Sequence, residues 1–95
     1  MKKLQIITKQ VANETVSSKQ LMIAALSANQ EALKGLKELR QAIKLYDKIE
    51  ASGDVLELED AEFDLLYSSL DKMQWGGGAL VFGDFFDEIV RIKNE

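Results

Sequence analysis

The sequence predicts a mainly α fold: a small helical domain of three to four helices with one or two short strands, with an α+β arrangement as the variant. Three observations predict it. Apolar residues recur at helical spacing without interruption from Leu21 to Ile49. Two later stripes, Phe63-Leu66-Leu70-Met73 and Phe82-Phe85-Phe86-Ile89-Val90-Ile92, have the same period. Strict alternation is confined to two short stretches, around Leu4–Thr8 and Val55–Leu58. All of this fits one domain spanning residues 1–95, large enough for a single modest core.

Leu4, Ile6 and Thr8 alternate with Gln5, Ile7 and Lys9 and read as a first strand, although Leu4, Ile7 and Val11 also fall at helical spacing. Asn13, Thr15, Ser17 and Ser18 then read as a connection, with Ser17 and Gln20 at capping-box spacing for a helix start. One row of the following segment is Leu21, Ala25, Ala28, Ala32, Gly35, Leu39, Ala42, Tyr46 and Ile49; Met22, Leu26, Leu33, Leu36 and Ile43 run beside it. A continuous helix here would be about 50 Å long. Ser27 and Gln30 repeat the capping spacing, so two helices are expected, over about residues 18–28 and 31–51. Ser52-Gly53 supplies a glycine where a left-handed C-terminal cap belongs.

Val55, Leu56 and Leu58 read as a second strand, and a helix follows near Asp60. Trp75 and Gly76 to Gly78 stop it. The last helix begins either before Phe82 or at Gly83-Asp84 after an extended Ala79 to Phe82.

Composition excludes several chemistries. There is no cysteine, hence no disulfide and no thiolate ligand or nucleophile. There is no histidine either, which removes the usual zinc ligand and the side chain best suited to proton transfer near neutral pH. Neither a catalytic set nor a cofactor or metal site is expected. Residues 2–10 lack the apolar core of an export signal, and the longest central apolar run, Leu21 to Leu26, is far short of the roughly 20 residues of a membrane helix. A cytoplasmic protein is the expectation. The net charge of -4 is uneven: residues 1–50 hold nine Lys/Arg against five Asp/Glu, and residues 51–95 hold three against eleven. Opposite halves of this kind attract each other when packed, or offer two faces to partners.

Four features invite a functional reading. Gly78 and Gly83 have the spacing of the two P-loop glycines, but Asp84 stands where that loop needs lysine, so a turn between helices is the reading kept. Asp54, Glu57, Glu59, Asp60, Glu62 and Asp64 lack the alternation, central glycine and closing glutamate of a calcium loop. They suit a helix N-terminus, where the macrodipole favours negative charge. Phe82, Phe85, Phe86 and Trp75 fit a core better than a ligand pocket. Lys37, Arg40, Lys44 and Lys48 share one helix face and could lie along phosphates, although a solvated surface explains them more simply in an acidic chain.

The stretch Val55-Leu56-Glu57-Leu58-Glu59-Asp60-Ala61-Glu62-Phe63, ending in Met73-Gln74-Trp75, resembles small proteins encoded in bacteriophages and prophages. In these an "LEDAE-aromatic" helix leads to a tryptophan and a final apolar helix. Lys3-Leu4-Gln5-Ile6-Ile7-Thr8-Lys9 is similar to their N-termini, while Gly76 to Gly78 departs from the pattern. The resemblance implies an accessory protein of phage growth, working in head or tail assembly in the bacterial host cell, with a phage structural protein as partner and association with the virion. It implies no active-site residue.

Two functions follow as expectations. The first is a non-enzymatic protein acting through protein–protein interaction, including self-association as a homodimer through the small residues Ala28, Ala32 and Gly35. The alternative is a helix-turn-helix-like DNA-binding regulator reading through Lys37, Arg40, Lys44 and Lys48, against which the net acidity counts. Carboxylate catalysis ranks third, since no sequence feature marks a pocket to shift a pKa.

Overall fold

The computed structural model describes residues 1–95. Its order is β1 (Lys2–Gln5), β2 (Thr8–Val11), β3 (Glu14–Ser17), α1 (Ser18–Ala28), α2 (Leu36–Ala51), β4 (Val55–Leu58), α3 (Asp60–Lys72), a 3-10 helix (Gly77–Phe82) and α4 (Gly83–Lys93). Helices dominate, as the periodicity predicts, but there are four short strands rather than one or two. They form two separate antiparallel pairs, β1 with β4 and β2 with β3.

The first pair joins the chain's beginning to its middle, placing Leu4 opposite Leu56 and Lys2 opposite Leu58. Leu4, Leu56 and Leu58 point inward and are buried, while Lys3 and Glu57 face outward as an ion pair at 4.0 Å. The second pair is a hairpin where the sequence reading expected one strand and a connection. Val11 and Glu14 close a two-residue loop, Ala12-Asn13, with Ala12 at φ 57°. Two-residue loops normally announce themselves through glycine at such a position. Alanine there hides the hairpin from sequence inspection.

Ser17 caps α1 as its spacing predicts: its hydroxyl accepts from the Lys19 amide at 3.2 Å, and Gln20 returns a bond to the Ser17 amide at 2.8 Å. Buried Ser18 locks the strand entry to the helix, its amide donating to Ile7 O at 2.7 Å and its hydroxyl accepting from Ile7 N at 3.0 Å.

The break between the two central helices is real, and the second helix starts later than residue 31. Residues 29–34 form successive i→i+3 turns, with Ala32, Leu33 and Lys34 amides donating to the carbonyls of Asn29, Gln30 and Glu31. Gly35, at φ 84°, then redirects the chain into α2. Only glycine adopts that angle at little cost. Ser27 and Gln30 make no capping box. Instead Asn29 is buried at the break and donates through Nδ2 to Ser69 Oγ at 2.9 Å, which in turn donates to Leu65 O at 2.8 Å. The turn is thus pinned to α3 from inside the core.

Two further expectations are corrected. Gly53 is not a left-handed cap, since Gly35 is the only glycine with positive φ. The end of α2 is closed by Ser52, which donates from its hydroxyl to Ile49 O at 2.7 Å, and by Lys19, whose Nζ reaches the Ser52 carbonyl. A cation at exposed C-terminal carbonyls also meets the negative end of the helix dipole. The last helix starts at Gly83, one of the two starts expected, but residues 79–82 before it are not extended: they belong to the 3-10 helix, which lies against β2 and ends at buried Phe82.

A single core of seventeen buried apolar residues draws on β1, β4 and all four α-helices. Phe63, Leu66, Leu70, Phe85 and Ile89 are buried within it, as the stripes predict. No buried side-chain polar atom lacks a hydrogen-bond partner.

Candidate interaction surface

Helix α2 has three faces rather than two. Ala42, Leu45 and Ile49 are buried and seat it on α1, α3 and β4. Leu36, Leu39, Ile43 and Tyr46, at steps of three, four and three, make a second apolar row. That row stays open: Leu36 is 80% exposed, Ile43 48% and Tyr46 42%, with only Leu39 half-buried. Leu33, in the turn before α2, is exposed as well. The third face carries Lys37, Arg40, Lys44 and Lys48, all four brought together as expected.

The cations of that face are not equivalent. Lys48 is half-buried and paired with Glu62 of α3 at 2.6 Å. This hydrogen bond holds the Lys48 ammonium above its ordinary pKa. Burial alone would raise the Glu62 carboxyl, but hydrogen bonds from Lys48 and the Glu59 amide outweigh it and keep the carboxyl below its usual range. Lys37, Arg40 and Lys44 are exposed and make no ion pair. Leu36, at the start of the open apolar row, lines one surface depression with them, while Asp47 lies beside the row's later turns.

The small residues expected to form a self-association face do not share one. Ala32 is buried in the chain's own core, while Ala28, the last residue of α1, and Gly35, the turn residue, are exposed on separate segments. Their common spacing is helical only if the helix is continuous, and it is not.

No protein family, no curated protein and no solved structure matches the chain.

The remaining features resolve into structure. The carboxylates of residues 54–64 do not converge: no group of three or more acidic side chains could hold a metal ion. Asp60 and Glu62 occupy the first turn of α3 and Lys72 its last, as the dipole favours. Gly83 opens α4 in ordinary right-handed conformation, and Asp84 is paired with Lys9 of β2 at 3.0 Å, which lowers its pKa. Phe82 and Phe85 are core. Trp75 and Phe86 are half-buried, with ring centroids 5.2 Å apart, and the Trp75 indole donates to Leu70 O at 3.2 Å, closing the end of α3. No helix is long and apolar enough to cross a membrane.

A second apolar surface was missed by sequence reasoning. Between α3 and α4 runs a groove lined by Tyr67, Leu70, Asp71, Phe86, Ile89 and Val90. Val90 is 47% exposed, and nearby Leu80 of the 3-10 helix 84%. Helical spacing placed Val90 and Phe86 in the core stripe. They lie at its edge, Phe86 half-buried and Val90 exposed.

Proposed function

We propose that this protein is a non-enzymatic accessory protein that acts by binding other proteins through the outer row of α2. One observation carries this: Leu36, Leu39, Ile43 and Tyr46 form an ordered apolar row with no covering element, beside three unpaired cations. An apolar patch with a polar rim is the usual anatomy of a protein-binding surface. The phage or prophage setting rests on the resemblance of residues 55–63 and 73–75, and it makes a phage structural protein the first partner to test. The test is affinity capture from prophage-induced cells with wild type and Ile43→Glu side by side. A protein held by wild type and lost by the variant at unchanged thermal stability is the expected result; identical captured sets overturn the reading.

The DNA-binding alternative has one observation in its favour, the freedom of Lys37, Arg40 and Lys44. The turn over residues 29–35 is longer than the about three or four residues of a helix-turn-helix, and an apolar row occupies the adjoining face of α2. A sequence-selective duplex shift at physiological salt, weakened by Lys37→Glu or Lys44→Glu, would establish it in place of the first reading.

A further inference from the structure

The N-terminal end of the open row of α2 and the end of the α3–α4 groove beside the start of α4 are opposite in charge. Lys37, Arg40 and Lys44 gather beside Leu36 at the start of the row. Asp71 lines the groove, and Asp87 sits one turn from Val90 on the outer face of α4. All five charges lack an intramolecular ion pair. The complementarity has a direction. Toward the C-terminal end of α2 the sign reverses at Asp47 and Glu50, Lys48 being held by Glu62, and toward the C-terminal end of α4 it reverses at Lys93, which spans Asp64 at 3.2 Å and the Tyr67 ring at 5.4 Å. With α2 laid parallel to α4, Lys37 and Arg40 face Asp71 and Asp87 while Asp47 faces Lys93. Lengths also agree, since Leu36 to Tyr46 rises about 15 Å and α4 about 16 Å.

These surfaces cannot meet within one molecule. Glu62 of α3 pairs with α2 and Asp64 of α3 pairs with α4. Residues two apart on a helix point about 200° from each other. Hence α2 and α4 flank α3 on opposite sides, and the row of one copy can enter only the groove of another.

We infer that the chain assembles head to tail, the Leu36-Ile43-Tyr46 row of α2 in one copy seated in the Tyr67-Phe86-Val90 groove of the next. This rests on the reading of α2 as a protein-binding surface and names a second copy as an occupant. Two different patches make a heterologous contact, which grows into rings or open chains rather than stopping at a twofold dimer. The free charges set the direction of docking and speed encounter more than they add affinity.

Heterologous pairing predicts complementation. Ile43→Glu removes the row and keeps the groove; Val90→Lys removes the groove and keeps the row. Both positions are exposed in the folded chain, and circular dichroism of each variant checks that it folds. In light scattering up to about 100 μM, above typical micromolar contacts, wild type should exceed the mass of two chains. Each variant alone should be monomeric, and their equimolar mixture should reach the mass of two chains and stop. A monomeric wild type, a wild type that stops at two chains, or a monomeric mixture overturns the inference. Should a monomeric wild type still capture a protein through Ile43, only self-assembly falls and the binding role of α2 stands; without such capture both fall.

Discussion

Helices α2 and α4 carry similar apolar patterns and meet different fates. In α4 the row Phe85-Ile89-Ile92 is buried, with Phe86 and Val90 at its margin. In α2 the apolar residues are as frequent, yet only Ala42, Leu45 and Ile49 are buried and the longer row Leu36-Leu39-Ile43-Tyr46 looks outward. The reason is the supply of neighbours. The buried row of α4 fills the interior beside Phe82 and β1, whereas α1, α3 and β4 together cover a single face of α2. Periodicity says that a face favours cover; only the fold says whether this chain supplies it.

The sharpest way to break the comparison is Phe85→Ala, which should cost about 3–5 kcal/mol in denaturant unfolding. Leu36→Ala or Ile43→Ala should change stability far less than that. Equal losses in α2 and α4 would place the outer row in the core. Next comes the turn that sets the start of α2. Asn29→Ala removes the donor to Ser69 and the side chain at a buried break, with an expected cost of about 1–3 kcal/mol by the same measurement. Gly35→Ala forces alanine to φ 84°, with its Cβ 3.2 Å from Glu38 Oε2, for about 1–2 kcal/mol.

The smallest effect is electrostatic. The Glu62 carboxyl is held below its ordinary 4.5 in the folded state, so its pairing contributes stability above that value and loses it as pH falls through the lowered folded value. Lys48 is raised above 10.5, so its share is intact below that value and is lost only as pH rises through the raised one. Lys48→Met should therefore flatten part of the acid limb of stability in a pH series of thermal melts. An unchanged acid limb would show that the pair is screened out by water.

Much of the fold was legible in the residues: Ser17 and Gln20 marked the start of α1, alternation marked β4, and Asp60 opened α3, while Ser52-Gly53 marked where α2 ends but not the serine closure that ends it. The hairpin was hidden because Ala12 holds the position that glycine normally announces. The start of α2 was misjudged because helical spacing runs on through 29–35, where Asn29 and Gly35 impose a turn by burial and by φ. The candidate surface was half legible. Its cations lay in plain view, but the residues of the open apolar row were divided between the two rows read from Leu21 to Ile49, since Leu39, Ala42 and Tyr46 align as well as Ala42, Leu45 and Ile49 do. The groove between α3 and α4 depends on the spacing of two helices, which no local pattern reports.

The most direct test of the outer row is the thermal midpoint of wild type and Ile43→Glu measured over a range of protein concentrations. Association of the folded chain raises the midpoint by mass action, so wild type should melt higher as concentration rises, while the variant stays flat. The two should converge at high dilution, because Ile43 contributes little to the core of one chain. A variant that melts well below wild type at every concentration, with no concentration dependence in either, would contradict the account and return the row to the interior.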